Sequence, residues 1–286
     1  MNVPKDTLAQ LRRFATAFRE ARERGANESD TVMYLVKFFE DVLGYDSLKG
    51  EVSKELAIKD RYCDVALKVD GALKLLVEAK AANLKSLAEK HIEQAGNYAS
   101  RLGHPWVLLT NGIEWRLYHL TFAEGEGIES DVAFEMNLLE ALETSPDAAW
   151  DKLSLLSRSS MKKDAIEEFW SHKKALSPAS VIKVLFHEDV LAVIRRELNR
   201  DAPARLDLED VFAAVREVLS KEALADAGDL GIRKKRRRRR KVQRTDAATG
   251  TVVTEEVEED EPDETTAAAV SDLAAVPAVA KPGPNA

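Results

Sequence analysis

Three charged residues in the first third of the chain have the types and spacing needed for hydrolytic chemistry. Asp64 interrupts an apolar segment, and Glu78 and Lys80 lie on either side of Ala79 in a second one. Residues two apart on a strand project from the same face, so Glu78 and Lys80 would lie together. Buried strands seldom hold charges that are not compensated. A divalent metal ion with a phosphate substrate would compensate them, which suits metal-dependent phosphodiester cleavage.

The apolar segments before and after Asp70-Gly71 are predicted to pair as a hairpin. A two-residue loop at this turn would mix the polar and apolar faces of the two strands. A three-residue loop pairs Val69 with Leu73 and brings Asp64 opposite Glu78, so we predict that register, with a bulge. Opposed carboxylates repel each other unless a cation lies between them. The alternative is a solvated outer face of the sheet with scattered charges.

The residues that follow predict a helix and a second hairpin. Apolar and small residues recur at helical spacing over 86–102, and Gly103 is a typical helix end. Gln94 and Tyr98 are four residues apart and therefore share a face of this helix. An apolar segment with Asn111-Gly112 at its turn predicts the hairpin. The predicted order is helix, strand, strand, helix, strand, strand.

These features together resemble a known family of nuclease domains. The segment from about Asn27 to Leu120 resembles the N-terminal nuclease domain of type I restriction enzyme R subunits, within the PD-(D/E)XK nuclease superfamily. The resemblance implies an α/β fold in which a mixed β-sheet is flanked by helices. It rests on these residues, in chain order: Asn27-Glu28 with Thr31, Leu43-Gly44-Tyr45, Asp64, Glu78-Ala79-Lys80, Gln94 with Tyr98, and the stretch from Leu109 to Tyr118.

The resemblance also implies a metal site. Asp64 and Glu78 would bind Mg²⁺, with Mn²⁺ as an alternative, assisted by the backbone carbonyl of Ala79. Mg²⁺ prefers oxygen ligands and is commonly held by one or two carboxylates, with waters and phosphate completing the octahedron. Glu28, at the start of the first helix of the domain, is a further metal-ligand candidate. Its alternative role is that of a carboxylate that stabilises the helix dipole beside an Asn27 cap.

Three further residues receive roles from the resemblance. Lys80 would orient the attacking water or stabilise charge in the transition state. Gln94 and Tyr98 would support the site and touch the DNA backbone. The implied partners are DNA and other restriction-system subunits.

The sequence as a whole predicts four segments. These are an N-terminal helix (1–26), a nuclease-like domain (27–135), a helical extension (136–228) and a disordered tail that is basic and then acidic (229–286). We expect the extension to pack on the nuclease core; the alternatives are a bundle that binds a partner or mediates self-association, and a DNA-reading helix pair. The chain contains no G-x-x-x-x-G-K-[ST] motif, so we expect a nuclease domain without the ATP-driven motor of complete R subunits.

A dense basic run opens the tail. Because like charges repel, this run is predicted to be unfolded in isolation and to bind nucleic acid through its phosphates. An acidic block from Thr254 to Glu264 follows and is expected to compete with DNA for the basic run; the alternative is a tail that only aids solubility. The nucleic-acid-binding candidates are Arg233, Lys234, Lys235, Arg236, Arg237, Arg238, Arg239, Arg240 and Lys241.

Composition and charge exclude several other classes of protein. The single cysteine, Cys63, excludes an intrachain disulfide framework, and no apolar stretch predicts a membrane span, so we expect a cytoplasmic protein. The net charge of −8 is unusual for a DNA-binding protein, but the local basic run can outweigh it. We therefore predict a Mg²⁺-dependent DNA endonuclease of restriction type. A non-catalytic nucleic-acid-binding or regulatory protein is the alternative, and exonuclease or RNA-directed activity stays open.

Overall fold

A computed structural model describes residues 2–58, 61–123, 127–201, 205–228, 230–233, 237–245 and 252–260 of the chain. The chain divides into two compact units, Met1–Lys174 and Ala175–Ala286. Within the described ranges, no helix has the length and apolar character needed to cross a membrane.

The first unit is built on a six-stranded sheet in which the strands follow one another in sequence order. All neighbouring strands are antiparallel except β3 and β4, which are parallel and joined through a helix. The sheet is therefore mixed, and the predicted α/β fold is confirmed. Its strands are β1 (Val52–Ile58), β2 (Arg61–Val69), β3 (Ala72–Ala79), β4 (Trp106–Thr110), β5 (Glu114–Ala123) and β6 (Gly127–Asn137).

Helices cover both faces of this sheet. One face carries the larger apolar cluster, to which all the helices except α3 contribute, and α3 packs on the other face. The helices are α1 (Lys5–Glu23), α2 (Glu28–Asp41), α3 (Glu89–Leu102), α4 (Leu138–Thr144), α5 (Pro146–Leu155), α6 (Arg158–Met161) and α7 (Ala165–Ala175), with a 3₁₀ turn at Ser47–Lys49. Ala66 and Leu76 are 0% and 1% exposed beneath α3, so the solvated outer face considered for this hairpin is excluded.

The turn between β2 and β3 differs from the predicted one. Asp70 and Gly71 both have positive φ and form a two-residue turn in which Val69 pairs with Ala72, so the predicted three-residue loop is wrong. A bulge between Leu67 and Lys68 then shifts the register by one residue. The predicted proximity of Asp64 and Glu78 is retained, because the bulge produces the one-residue shift that the longer loop was expected to produce.

Hydrogen bonds to a buried side chain stabilise the turn between β4 and β5. Asn111 is fully buried, and its Oδ1 accepts the N–H groups of Ile113 at 3.0 Å and Glu114 at 2.7 Å. Gly112 has a φ of +85° and lies against the ring of Phe18 from α1. The Asn-Gly hairpin is thus confirmed, and its tip is part of the core.

Helices α4 to α6 and nearly all of α7 belong to the first unit, although the helical extension was predicted to begin at residue 136. Leu138, Leu153 and Met161 are each 0% exposed and belong to the larger apolar cluster of the sheet. The boundary between the units therefore lies inside the predicted extension, because the first of its helices complete the core.

Strand β6 is an edge strand with a bulge at Ala133, where Leu117 pairs with Phe134 and Tyr118 with Val132. The Lys173 Nζ donates to the carbonyl groups of Val132 at 2.8 Å and Ala133 at 2.6 Å. Nearby, Lys152 Nζ donates to the carbonyl of Glu135 at 2.9 Å. Ammonium groups thus bind three carbonyls along this strand.

Among its described residues, the second unit contains four short helices: α8 (Pro178–Leu185), α9 (Glu188–Asp201), α10 (Leu208–Val218) and α11 (Lys221–Ala227). Ser177 and Asp207 cap α8 and α10, since each side chain accepts an N–H group in the first turn of its helix. Ile182, Phe186 and Ala227 form its small buried core.

Part of the tail predicted to be disordered over 229–286 forms a hairpin, whereas residues 246–251 and 261–286 lie outside the described part of the chain. Strand β7 (Arg237–Thr245) pairs with strand β8 (Val252–Asp260) as an antiparallel hairpin. The register places Arg239 opposite Glu258 and Lys241 opposite Glu256. Unlike charges on directly opposed residues favour pairing, which agrees with the predicted attraction between the acidic block and the basic run, although these segments were not expected to form strands.

Candidate active site

The bulged β2–β3 pair brings the two predicted carboxylates to one place. Val65 pairs with Val77, so the next residues along the two strands are Asp64 and Glu78. Asp64 Oδ2 accepts the backbone N–H of Ala79 at 2.7 Å, which fixes its carboxylate beside the end of β3. Glu78 is only 1% exposed, so this carboxylate lies in the interior of the domain.

Lys80 follows β3 directly and joins this cluster. Its Nζ lies 2.6 Å from Oε1 of Glu78 and 3.3 Å from Oε2 of Glu28, at the N-terminus of α2. The Lys80 side chain is 12% exposed and that of Glu28 is 47% exposed, so the cluster extends from the interior to the surface. Asp64, Glu78, Lys80 and Glu28 are thus brought together, as predicted from the sequence.

The electrostatics of the cluster are dominated by the burial of Glu78. Burial, together with the negative charge of Asp64, raises the pKa of Glu78 to about 7, against the opposing effect of the Lys80 hydrogen bond. Burial disfavours the charged form of Lys80, but the bond to Glu78 and the surrounding carboxylates outweigh it, so the pKa of Lys80 is raised. The site therefore holds an ammonium beside a carboxyl group that titrates near neutrality.

One oxygen of this site has no partner from the protein. Glu78 Oε2 is buried and accepts no hydrogen bond within the described part of the chain. A buried carboxylate oxygen without a partner is costly unless a ligand satisfies it. Together with the nearby carboxylate of Asp64, it offers the hard oxygen ligands that Mg²⁺ prefers.

The donor set fits Mg²⁺ better than a metal held only by protein. No group of three or more His, Cys, Asp or Glu side chains is placed to hold a metal ion among the residues with described positions. Mg²⁺ is commonly bound through one or two carboxylates and keeps several waters. Asp64 and Glu78 can supply these carboxylates, with the Ala79 carbonyl as the predicted third ligand.

Backbone hydrogen bonds fix the chain around Lys80. The Lys80 N–H donates to the carbonyl of Thr110 at 2.8 Å. The following segment is bound by Asn111, whose Nδ2 donates to the carbonyl of Leu84 at 3.1 Å, and by Arg22. Sequence reasoning assigned no role to Arg22 or to the Asn111 side chain, because these bonds join parts of the chain that are distant in sequence.

Helix α3 lies over the face that bears this site. It carries Gln94 and Tyr98, as predicted, but the side chain of Gln94 is outside the described part of the structure. Tyr98 is 5% exposed. His91, which the sequence analysis did not assign to the site, accepts the N–H of Ala88 through Nδ1 at 3.1 Å. Burial, and to a lesser extent the charge of Lys80, lowers the pKa of His91.

The predicted nucleic-acid-binding run lies in the second unit. Arg233 is exposed, and its backbone bonds to Phe186 and Glu188 at the junction of α8 and α9. Arg237 to Lys241 lie on β7, where only the backbone is described. Lys234, Lys235 and Arg236 are outside the described residues.

The fold and the cluster define a class: a mixed α/β domain with paired carboxylates and a lysine at the end of a central strand. Residues 31–130 match the family model of the type I restriction enzyme R protein N terminus (HSDR_N), so this part of the chain is similar to that family. The match covers about a third of the chain and includes Asp64, Glu78 and Lys80, whereas Glu28 precedes it. Comparison with curated proteins and with solved structures gives no significant match.

The raised pKa of Glu78 leads to a prediction about stability. The pKa in the folded protein is about 7 against an ordinary value of 4.5, so burial of the charged form destabilises the fold as pH rises through this interval. One pKa unit corresponds to about 1.4 kcal/mol, which sets an upper limit of roughly 3 kcal/mol. We expect Glu78→Gln to raise the free energy of unfolding of the metal-free protein at about pH 8, and to have less effect at about pH 5.

Urea denaturation of both proteins with a chelator present measures this difference. Glu51→Gln is the control of opposite sign, because the pKa of Glu51 is lowered, chiefly by its hydrogen bonds from Arg158. Its replacement should destabilise the protein at about pH 8. A Glu78→Gln protein that is less stable than wild type at this pH would contradict the expectation.

Proposed function

We propose that this domain is a Mg²⁺-dependent deoxyribonuclease of the restriction type. The match of residues 31–130 to the family model of the R-subunit N terminus supports a restriction-enzyme context. The observation that carries the proposal is the buried, unpartnered Oε2 of Glu78 beside Asp64 and Lys80. A protein that used this fold only to bind DNA would have no need to bury a carboxylate that repels its neighbour.

The proposed mechanism assigns a separate task to each residue. Asp64 and Glu78 would hold the metal ion, and the Ala79 N–H fixes the Asp64 carboxylate beside the end of β3. Bound Mg²⁺ would activate water and neutralise charge on the phosphate oxygens. Lys80 has three N–H donors and uses two in its bonds to Glu78 and Glu28, which leaves one for a water or phosphate oxygen. That donor would orient the nucleophile and stabilise the charge that develops on the phosphoryl group.

A cleavage assay on supercoiled and linear DNA tests the proposal, with Mg²⁺ or Mn²⁺ added and with a chelator as the blank. We expect wild type to cut in the presence of either metal ion, and Asp64→Ala to bind DNA without cutting it. Cleavage that is unaffected by the chelator would contradict the metal dependence. DNA binding without cleavage by wild type would favour the alternative of a non-catalytic nucleic-acid-binding or regulatory protein.

We further propose that the basic segment of the second unit contacts the DNA backbone and that strand β8 competes with DNA for it. Strand β7 contains six basic residues and β8 contains five acidic residues. The register sets Arg237 opposite Asp260 and Arg238 opposite Glu259, besides the two pairs described above. DNA phosphates and the acidic strand are therefore alternative partners for the same charges.

Neutralising the acidic strand should strengthen DNA binding. We expect the five-fold variant with Gln or Asn at Glu255, Glu256, Glu258, Glu259 and Asp260 to bind DNA about tenfold or more tightly at low salt, with a steeper salt dependence. Fluorescence anisotropy of a labelled duplex measures both quantities. Removal of residues 246–286, which deletes β8, should act in the same direction, and unchanged affinity at low salt would contradict the competition.

The matched control changes the net charge equally but leaves β8 intact. It replaces five exposed acidic residues on the helices of the same unit, namely Glu197, Glu209, Glu217, Glu222 and Asp226. A general effect of net charge would make the two five-fold variants bind alike, whereas competition predicts that the β8 variant gains more affinity.

A further inference from the structure

Ala82, two residues after Lys80, is held in place through its N–H, its carbonyl and its methyl group. Ala82 is 0% exposed; its N–H donates to Oγ1 of Thr31 at 3.0 Å, and its carbonyl accepts from Nε of Arg22 at 3.1 Å. Its methyl group packs in a small cluster with Ala21 and Ala26. The chain leaving the site is therefore fixed between α1 and α2 at this point.

Two links connect the first turn of α2 with the end of β3. One is the ion pair between Glu28 and Lys80, and the other is the hydrogen bond between Thr31 and Ala82. Glu28 and Thr31 are three residues apart and so share a face of the helix. The Glu28 side chain in the ion pair is 47% exposed, whereas Thr31 is 0% exposed. Water therefore cannot easily replace the hydrogen bond between Thr31 and Ala82.

We propose that Thr31 is a positioning residue of the site. By accepting the Ala82 N–H, its hydroxyl holds the segment that follows Lys80 against α2, and this keeps the Lys80 ammonium between Glu28 and Glu78. Without that bond the Lys80 backbone keeps its bond to Thr110, and Arg22 and Asn111 still bind the segment that follows, but this segment loses its buried link to α2. The consequence for catalysis rests on the proposed function, whereas the consequence for the geometry of Lys80 does not.

The hydroxyl of Thr31 also donates to the carbonyl of Asn27 at 2.8 Å, one helical turn earlier. This bond is local, and Thr144 makes the same kind of bond to Glu140 at 2.9 Å on the exposed side of α4. Thr144→Val therefore removes an equivalent local bond without touching the site. The comparison of Thr31→Val with Thr144→Val isolates the link to Ala82.

The test follows the side-chain ammonium of Lys80 by ¹H–¹⁵N NMR in metal-free protein. Because this ammonium is 12% exposed and bonded to two carboxylates, its protons should exchange slowly enough to be seen, and Lys80→Met identifies the signal by its loss. We expect wild type, Thr31→Ser and Thr144→Val to show the signal and Thr31→Val to lose it. If Thr31→Val does not fold, Thr31→Ala replaces it, because the smaller side chain leaves room for a water at the Ala82 N–H.

Kinetics provide the second readout. We expect Thr31→Val to lower kcat about 10- to 100-fold with little change in KM, because displacement of a catalytic group slows chemistry more than binding. Thr31→Ser should restore kcat. Retention of both the Lys80 signal and kcat in Thr31→Val would overturn the proposal. If wild type cuts no DNA, the proposed function fails, and the NMR comparison still decides the role of Thr31.

Discussion

Replacing Lys80 with methionine is expected to slow the proposed metal-dependent cleavage of DNA on the order of 10²- to 10³-fold while leaving the fold intact. Methionine approximates the length of the lysine side chain but carries no charge and no hydrogen-bond donor. The variant would lose the donor that orients water or phosphate, which is worth on the order of 10²- to 10³-fold in rate for a positioned group. It would also leave Oε1 of Glu78 without its bond of 2.6 Å, so the pKa of Glu78 should rise further.

The chain offers a close control for this substitution. Lys74 lies on the same strand and is also paired with a carboxylate, since its Nζ is 2.7 Å from Oδ1 of Asp164. Lys74→Met therefore removes one ion-paired lysine from β3 without touching the candidate site. Cleavage rates of the two variants, measured beside circular dichroism spectra, decide the role of Lys80. Equal activity of Lys80→Met and Lys74→Met would remove Lys80 from the mechanism.

Gly112→Ala is expected to be the most destabilising single change at the hairpin tip. Gly112 has a φ of +85°, and an added Cβ would lie 2.2 Å from the ring of Phe18. The backbone conformation alone costs roughly 1–2 kcal/mol for a residue with a side chain. The clash with a fully buried ring adds to this, because Phe18 is 0% exposed and packed against other rings. We expect a total loss above about 3 kcal/mol, measured by urea denaturation.

Gly71→Ala separates the two causes. Gly71 has a φ of +83°, but an added Cβ there meets nothing within 4 Å, so only the backbone cost applies. The loss in Gly112→Ala should exceed the loss in Gly71→Ala by the energy of the clash. Adding Phe18→Ala to Gly112→Ala should then cost less than the sum of the two single changes, whereas additive losses would contradict a direct clash.

The elements predicted from the sequence were those with strong local signals. The Asp70-Gly71 and Asn111-Gly112 turns and the Gly103 helix end each fix a backbone conformation that few other residues adopt, and all three features are present. Strands β1 and β6 were not predicted. Both are sheet edges with charged residues along them, so they lack the apolar run that identifies an inner strand.

The sequence predicted which residues form the site, but not the contacts that position them. Asp64, Glu78 and Lys80 could be placed together because strand alternation and register are local properties of two neighbouring segments. The bulge that aligns them could not be located, because its position depends on how the two-residue turn twists the strands. The burial of Glu78 and the bond between Thr31 and Ala82 depend on helices packing from distant parts of the chain, and no local pattern encodes that contact.

The lysines that bind carbonyl groups of β6 have a consequence for association. An exposed strand at the edge of a sheet is a template on which another chain can extend the sheet. At the bulge in β6, an incoming strand would have to displace Lys173 from two carbonyls and Lys152 from a third. These ammonium groups therefore protect this end of the domain against intermolecular strand addition during folding or at high protein concentration.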